Sequence, residues 1–305
     1  MRAVLSHAAV ARERYLPAPA QESVAAFWTD NNVTRHHRFS SAEESLEYFN
    51  WRCSIYHGYL ERMPVAGADG LVVLDYGCGP GHDLVGFGHY SRPERLIGID
   101  VSPTSLSEAR ERLRLHGVGA EIVQLEEGAR RLPLEDASVD YLHSSGVLHH
   151  VPDPVGVLRE LRRVLKPGGT GRIMVYNWDS IFLHLYVPYV LQLEQGLYAG
   201  WDVRAAFQRA TDGARVPISE VYRPAEWVQL VESAGLECEF LGAAVSMLEM
   251  SLVSRRFDAI GDQRLAREHR DFLAALRFDE GGWAVTPAGH FAGVDGCFAI
   301  RRPPG

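Results

Sequence analysis

Short apolar runs alternate with helical patterns between residues 71 and 176. The runs are LVVLD (71–75), RLIGID (95–100), EIVQL (121–125), VDYLHS (139–144) and GRIMVY (171–176). Runs of this length are typical of buried parallel strands. Two of the intervening helices begin at Ser102–Pro103 and Asp153–Pro154, which suit the N-cap and the first helical position. The alternation predicts an α/β fold with a doubly wound, mostly parallel sheet and right-handed crossovers.

Helical patterns on both sides of this region predict a mainly helical cap over the ends of the strands. The N-terminal segment is predicted to be helical up to about residue 63, with Ser41 and Glu44 as a capping box. A strand at 236–241 and a closing strand at 294–302 follow later, and a charged helix is predicted at 261–277. The predicted division is an N-terminal helical cap segment at 1–66, a cofactor-binding core at 67–177, a cap insertion at 178–222, and the rest of the core at 223–305 with a second cap insertion at about 246–290.

Charge, cysteines and hydropathy exclude several classes of protein. The 305-residue chain has a formal net charge of -8, which argues against a dedicated nucleic-acid binder because such proteins need a basic face. Its four cysteines are far apart, which argues against a zinc site or a disulfide framework. We read no signal peptide, and the most apolar stretch, residues 181–193, is too short to span a bilayer. We therefore expect a cytoplasmic protein with no membrane partner.

A glycine-rich loop, DYGCGPGHD (75–83), directly follows the first strand. Glycines at this place let the backbone turn tightly and approach a ligand closely. A dinucleotide site normally has the spacing G-x-G-x-x-G, whereas the third glycine here comes one position early. The acids Asp75 and Asp83 suit a cofactor with an ammonium and a sulfonium better than one with two phosphates. Asp100, at the end of the second strand, is positioned to accept hydrogen bonds from ribose hydroxyls in either case.

The chain resembles the class I methyltransferases, which use S-adenosylmethionine (SAM). The residues that carry the resemblance are VLDYGCGPGHD (73–83), GIDVS (98–102), LPLEDASVDYLHSSGVLHHVPDP (132–154) and LRRVLKPGGTGRIMVYN (161–177). The resemblance implies a Rossmann-like sheet of seven strands with the last one antiparallel, SAM as the cofactor, and methyl transfer as the activity.

The resemblance also implies which residues of the glycine-rich loop contact SAM. Asp75, Gly77 and Gly79 would surround the methionine part of the cofactor. Cys78 and Asp83 belong to the same loop and are predicted contacts as well. Cys78 is expected to be a small packed residue and not a nucleophile.

Three further stretches would complete the cofactor site. Asp100 would hold the ribose, and Val101 would pack on the adenine. The segment at the end of the fourth strand would reach the methionine amino group through its backbone; it consists of His143, Ser144 and Ser145. Where the family commonly has G-D-A, this chain has Glu127, Gly128 and Ala129. Either the Glu127 carboxylate or the backbone of this stretch would then contact the adenine.

Two adjacent histidines, His149 and His150, follow the fourth strand at the rim of the predicted site. Either would serve as a general base for an acceptor whose proton has a high pKa, and packing is the alternative role for both. The many aromatic residues of the cap predict an apolar or aromatic small-molecule acceptor, such as a natural product. His36 and His37 have no acid or cysteine close by in the sequence, so no metal is predicted. The sequence leaves open the identity of the acceptor and whether the protein forms a homo-oligomer.

Three other functions remain as alternatives. The first is an NAD-dependent oxidoreductase, against which the glycine spacing argues. The second is a SAM-binding protein without catalysis, because methyl transfer needs no dedicated catalytic residue in every case. The third is a SAM-using enzyme of another reaction type on the same fold.

Overall fold

The computed structural model describes residues 23–213 and 215–304. Its centre is an eight-stranded sheet with the strand order β1-β7-β10-β6-β5-β2-β3-β4. The strands of this sheet are β1 (Tyr56–His57), β2 (Val72–Tyr76), β3 (Arg95–Asp100), β4 (Glu121–Gln124), β5 (Val139–Ser145), β6 (Leu165–Tyr176), β7 (Glu237–Ser246) and β10 (Asp295–Arg301), and a separate hairpin joins β8 (Arg277–Phe278) to β9 (Ala284–Val285).

The middle of the sheet is parallel. Strand β2 lies between β3 and β5, while β4 pairs with β3 and β6 pairs with β5. Strand β10 is antiparallel to both β6 and β7. The predicted doubly wound sheet with an antiparallel closing strand is therefore confirmed. Because the strand order changes direction between β2 and β5, the carboxyl ends of these two strands are where such a sheet binds its ligand.

The sheet has one strand more than the seven that were expected. The prediction of helix up to about residue 63 is wrong at Tyr56 and His57, which form β1 and lie antiparallel to Ser246 and Val245 of β7. The free edge of β7 offers backbone hydrogen-bonding groups that two extended residues can satisfy. The N-terminal segment is thus joined to the sheet and not only packed over it.

The helices lie on both faces of the sheet and in the cap. They are Val24–Asp30, Ala42–Ser54, Tyr59–Arg62, His82–Tyr90, Pro103–His116, Pro154–Val164, Val203–Ala210, Pro224–Ser233, Met247–Leu252, Arg256–Gly261 and Arg267–Ala275, with a π-helix at Phe182–Glu194 and 3-10 turns at Leu148–His150 and Val253–Arg255. The two predicted helix starts are confirmed, since Ser102 and Asp153 each accept a hydrogen bond from a backbone amide of the first turn.

Two details of the predicted helices are wrong. Ser41 accepts a hydrogen bond from the Glu44 amide, but the Glu44 carboxylate bonds to the Ser40 amide at 2.7 Å, so the capping box is only half formed. The charged helix starts at Arg267 and not at residue 261, because the Asp262 side chain accepts a hydrogen bond from the Arg264 amide and holds a turn there.

The π-helix Phe182–Glu194 forms the centre of the cap. Most of its residues are buried, and it packs on the helices Val203–Ala210 and Arg267–Ala275. Neighbouring cap segments therefore account for the apolar character of residues 181–193. Within residues 23–213 and 215–304, no helix has both the length and the hydropathy that crossing a bilayer requires.

Candidate active site

The glycine-rich loop begins at the end of β2 and is tied to β3. The amides of Gly77 and Cys78 both donate to the carbonyl of Ile99, at 2.7 and 3.0 Å. Gly77 has a φ of +78°, and a Cβ at this position would lie 2.2 Å from a methyl carbon of Val147. Both its conformation and its surroundings therefore require glycine. Gly79 also has a positive φ, but the space beside it is open.

Asp100 organises the loops at the end of β3. One of its carboxylate oxygens accepts from the Gly79 amide at 2.9 Å, and the other accepts from the Ser102 amide at 2.8 Å. Burial raises the pKa of this carboxyl, and the backbone hydrogen bonds act in the opposite direction. The carboxylate is therefore held at a defined place beside the glycine-rich loop.

A cavity of about 160 Å³ opens between these loops and the N-terminal segment. Tyr76, Ile99 and Leu125 form apolar parts of its wall. The wall also contains Gly77, Cys78, Gly79, Asp83, Asp100, Val101 and Ser145, which are seven of the predicted cofactor contacts.

Three other predicted contacts lie behind the wall of this cavity. Asp75, His143 and Ser144 are buried and do not line it. The Ser144 hydroxyl donates to the carbonyl of Tyr76 at 3.0 Å, which joins β5 to β2. The side chains of Asp75 and His143 thus belong to the protein core beneath the loop.

Asp83 and His143 form a buried ion pair, with an oxygen of the carboxylate 3.2 Å from the Nε2 of His143. Burial opposes both charges. The attraction between the two groups exceeds that penalty, so the pKa of His143 is raised and that of Asp83 is lowered to about 2. For Asp75, which lies nearby, burial dominates and raises the pKa.

Asp75, Asp83 and His143 are also the one group of described residues whose side chains come close enough to share a metal ion, with ligand atoms within 4.8 Å of one another. The ion pair already uses two of the three side chains. His36 and His37, for which the sequence predicts no metal, are each paired with an acid: His36 lies 2.7 Å from Glu108, and His37 lies 2.9 Å from Glu44. The absence of a metal remains a prediction.

The stretch Glu127, Gly128 and Ala129 lies outside the cavity wall. The Glu127 carboxylate accepts hydrogen bonds from the amides of Val24 and Ala25, at 2.9 and 3.2 Å. These amides belong to the first turn of the helix Val24–Asp30, where backbone donors have no partner within the helix. The carboxylate that was expected at the adenine is therefore engaged at the N-terminus of a helix.

The two candidate bases occupy different environments. His149 is fully buried, lines neither cavity, and stacks on Tyr176 with ring centroids 3.9 Å apart. Burial, followed by the neighbouring His150, lowers its pKa well below the usual value. The structure therefore favours packing for His149 among its two predicted roles.

His150 lies on the cavity wall, and its surroundings define its tautomer. Its Nδ1 is 2.6 Å from the carbonyl oxygen of Ile218, which can only accept, so Nδ1 carries the proton. Its Nε2 lies 3.7 Å from a carboxylate oxygen of Asp212. A general base must lie within reach of the bound acceptor. Of the two predicted bases, only His150 lines a cavity.

A second cavity, of about 280 Å³, adjoins the first. The two cavities share a wall that includes Tyr59, Ser145, Gly146 and His150. The hydroxyls of Tyr59 and Ser145 are hydrogen-bonded at 2.6 Å. Residues from all three predicted cap segments line the second cavity, among them Tyr56, Phe182 and Leu248.

Residues 74–173 match the protein family described as "Methyltransferase domain". The match includes the end of β2 with the glycine-rich loop, β3 with Asp100, and β5 with the two histidines that follow it. Residues 74–173 are a class I SAM-dependent methyltransferase domain.

Curated relatives are about one third identical to this chain over the aligned residues. They include an uncharacterized methyltransferase of Schizosaccharomyces pombe (38% identical over 32% of this chain and 37% of the relative). A malonyl-[acyl-carrier protein] O-methyltransferase of Marinomonas is 34% identical over 43% of this chain and 47% of the relative. A ubiquinone biosynthesis O-methyltransferase of Pseudomonas paraeruginosa is 32% identical over 42% of this chain and 55% of the relative. The chain thus spans about half the length, or less, of these relatives.

Solved structures share the fold at low sequence identity. A chain from the complex of the Haloferax volcanii Trm112 methyltransferase activator with a methyltransferase has a TM-score of 0.52 and 19% identity, covering 92% of this chain and 100% of that one. The [4+2]-cyclase SpnF has a TM-score of 0.50 and 18% identity, covering 96% of this chain and 100% of that one. At this level of identity the likeness concerns the fold alone.

Sequence reasoning missed an arginine that lies beside the methyltransferase domain. Arg52, on the helix Ala42–Ser54, lines both cavities. Its guanidinium makes no hydrogen bond or ion pair with any described residue. By contrast, the cap arginines Arg204 and Arg223 are paired with Glu226 and Glu268. Helical spacing alone does not distinguish an arginine that faces a cavity from one that faces solvent.

Two acidic residues of the second cavity were also missed. Asp212 accepts hydrogen bonds from the Tyr176 hydroxyl at 3.2 and 3.1 Å, and Asp295 lies at the start of β10. Asp295 is only 4% exposed, and burial raises its pKa to about 8. Its position at the start of the closing strand was the only signal in the sequence, because that end of β10 lies beside the cap.

Proposed function

We propose that the protein transfers a methyl group from SAM to a small-molecule acceptor, with SAM in the first cavity and the acceptor in the second. The observation that carries this proposal is the wall that the two cavities share. Methyl transfer is an in-line displacement that needs the acceptor atom directly behind the methyl carbon and water excluded from both. Two adjoining cavities that meet at Tyr59, Ser145 and His150 provide this arrangement.

The residues of the first cavity fit the parts of SAM. Each oxygen of Asp100 uses one lone pair on a backbone amide and has another available for a ribose hydroxyl. Val101 and Leu125 offer apolar surface to the adenine. The free guanidinium of Arg52 suits the carboxylate of the methionine part, and the carboxylate of Asp83 suits its ammonium.

SAM, when bound, supplies a methyl group that is already activated by the sulfonium. Within the protein, Nε2 of His150 is positioned to take the proton that a hydroxyl or amine acceptor loses as its new bond to carbon forms. The residues of the first cavity would hold the product S-adenosylhomocysteine, whose sulfur would keep the electron pair of the broken carbon–sulfur bond. The carboxylate of Asp212, 3.7 Å from Nε2, stabilises the positive charge that the imidazole gains.

The names of the relatives support the small-molecule class of acceptor. They include a ubiquinone biosynthesis O-methyltransferase and a malonyl-[acyl-carrier protein] O-methyltransferase. The aromatic wall of the second cavity, which includes Trp28, Tyr56 and Phe182, favours an apolar or aromatic body of the acceptor.

The test uses methyl-labelled SAM incubated with the purified protein and small-molecule extracts of its source cells. We expect a labelled product of low molecular mass. Asp100→Ala should abolish product and SAM binding together. His150→Gln should lower the single-turnover rate about a hundredfold while SAM binding is retained, because it removes only the base. Asp271→Ala removes an exposed carboxylate of a cap helix and serves as the control with normal activity.

Three results would contradict the proposal. Absence of SAM and S-adenosylhomocysteine binding in calorimetry would show that the first cavity has another ligand. A protein that binds SAM but labels nothing across all extracts would support a SAM-binding protein without methyl transfer. A changed substrate without label would instead indicate another reaction type.

A further inference from the structure

The second cavity has an unusual balance of charges. Two aspartates, Asp212 and Asp295, lie in its wall. The side chain of Asp295 is almost wholly buried, and its carboxylate accepts no hydrogen bond from any residue that the structure describes. A buried carboxylate without a hydrogen-bond donor is costly, and such groups in cavities often await a ligand.

His150 lies beside Asp212, but no arginine or lysine among the described residues that line the cavity is left for Asp295 once SAM is bound. Arg52 is the one arginine or lysine among the described residues that line this cavity, and it lies at the wall shared with the first cavity. In the proposed function it is used by the carboxylate of SAM. His82, which also lines both cavities, is held neutral because burial lowers its pKa well below the usual value.

A third acid, Glu249, lies behind the wall of the second cavity. Glu249 is fully buried and receives hydrogen bonds from Ser246 and from the amides of Phe182 and Val294. Burial raises the pKa of Asp295 to about 8, and the nearby Glu249 adds to the increase. A neutral or anionic ligand would leave the charge of an ionised Asp295 without a partner, whereas a cationic ligand would stabilise it.

The other side chains of the cavity suit a cation with an apolar body. Tyr56, Tyr176, Phe182 and Trp28 present aromatic rings to the interior. Aromatic faces attract ammonium groups and also bury apolar surface. The hydroxyls of Thr211 and Ser246 are further hydrogen-bonding partners in the same wall.

We propose that the acceptor carries a basic amine, which Asp295 and Asp212 bind as an ammonium inside the second cavity. This inference rests on the proposed function, because it concerns the acceptor in that site. It defines the substrate class as small, apolar or aromatic amines. Acceptors that carry a carboxylate would be repelled by Asp212 and Asp295, and neutral acceptors would leave the Asp295 carboxylate without a partner.

The test compares three probes of nearly equal shape: tyramine, 4-propylphenol and 3-(4-hydroxyphenyl)propanoate. Calorimetry measures their affinities both for the free protein and for its complex with S-adenosylhomocysteine. Tyramine should bind about tenfold or more tightly than 4-propylphenol, as expected for hydrogen bonds to a charged group. The propanoate should bind most weakly.

The variant Asp295→Asn keeps the shape of the side chain and removes its charge. It should abolish the preference for tyramine, and Asp212→Asn should reduce it. Asp258→Asn, an exposed aspartate on the cap helix Arg256–Gly261, is the matched control and should retain the full preference. Melting temperature and S-adenosylhomocysteine affinity verify that each variant is folded, and Asp212→Asn carries the test if Asp295→Asn does not fold.

Equal or tighter binding of either non-amine probe would overturn the inference. So would failure of tyramine to bind at millimolar concentration, or a preference that survives both aspartate substitutions. Loss of S-adenosylhomocysteine binding bears instead on the proposed function. The amine preference of the free protein is measured separately, so the two failures can be distinguished.

Discussion

A single arginine connects the two cavities at the scale of the residue. Arg52 is half-buried, lines both cavities and has no partner among the described residues. Burial acts against the charge of its guanidinium. The neighbouring tyrosines and Asp83 outweigh this effect, so the pKa of Arg52 is raised. A permanent positive charge beside a cofactor cavity is suited to an anionic group of the ligand.

Arg52→Gln should weaken SAM binding about tenfold or more, because a charge-assisted hydrogen bond to the methionine carboxylate is lost. Calorimetry with SAM and S-adenosylhomocysteine measures the effect. The thioether 5′-methylthioadenosine lacks the amino-acid part and should bind wild type and variant equally. A loss that is the same for all three ligands would mean that Arg52 acts on the fold of the cavity and not on the carboxylate.

The buried pair of Asp83 and His143 gives a second prediction for individual residues. Removing one partner of a buried ion pair commonly costs about 3 to 5 kcal/mol, whereas an apolar replacement of both is often neutral. We therefore expect His143→Leu to lower the free energy of unfolding by about that amount in urea denaturation. Asp83→Leu combined with His143→Leu should recover most of it. Equal destabilisation by the single and double substitutions would contradict this account.

The residues that could be predicted from the sequence are those whose role is local. Gly77 needs a positive φ and has no room for a Cβ, and Asp100 binds amides within its own and the preceding loop. Arg52 and Asp295 were missed because their environment is made by segments far apart in the chain. The Glu127 carboxylate was one of two alternatives for the adenine contact, but it bonds to a helix about a hundred residues away.

At the scale of the element, the helix Val24–Asp30 is held over the site at both ends. Glu127 accepts from the amides of its first turn. Beyond its other end, the Asn32 amide group donates to Glu108 at 2.6 Å. Between these points Trp28 lines both cavities and lies against His150, with ring centroids 4.9 Å apart. The helix therefore depends on two carboxylates of the core for its position.

Glu127→Ala should loosen this helix, because two amides of its first turn lose their acceptor. The expected cost is about 1 kcal/mol, as for the loss of a helix N-cap. Amide hydrogen exchange in residues 23–32 should become about fivefold faster, and SAM should dissociate faster. Glu126→Ala is the matched control, since the exposed side chain of Glu126 makes no hydrogen bond with a described residue. Unchanged exchange in Glu127→Ala would show that packing alone holds the helix.

At the scale of the whole molecule, the sheet and the presence of a helical cap could be predicted, whereas the packing of the cap could not. The core strands are apolar throughout and alternate with helices, so their pairing follows from general rules of α/β folds. The cap depends on long-range contacts instead. Its π-helix Phe182–Glu194 packs on helices from both cap insertions, and β1 exists only because the edge of β7 is free. Such contacts leave no periodic pattern in the sequence.

The cap also concentrates buried acids, and this has a consequence for stability. Burial raises the pKa of Asp295 to about 8 and that of Glu249 to about 7. Asp295 is faced by Glu249 and Asp212, which raise its pKa further, and by Arg52, which lowers it. A carboxyl whose pKa is higher in the folded than in the unfolded protein binds more protons when folded. Between the two pKa values, the free energy of unfolding therefore falls as the pH rises.

The Asp295 and Glu249 carboxyls should thus make a contribution to the free energy of unfolding that falls from about pH 5 to pH 8, while the buried neutral histidines His82 and His149 act in the opposite direction in the acidic part of this range. One proton of difference between the folded and unfolded states corresponds to about 1.4 kcal/mol per pH unit. The side chain of Asp295→Asn cannot titrate. The free energy of unfolding of this variant, measured by urea denaturation at several pH values, should therefore fall less steeply with pH, by up to that amount. Asp258→Asn should keep the pH dependence of the wild type. If wild type and Asp295→Asn lose stability in parallel, Asp295 is ionised in the folded protein across this range. Ionising the buried Asp295 would then cost little free energy, and an amine would gain less binding free energy beside it.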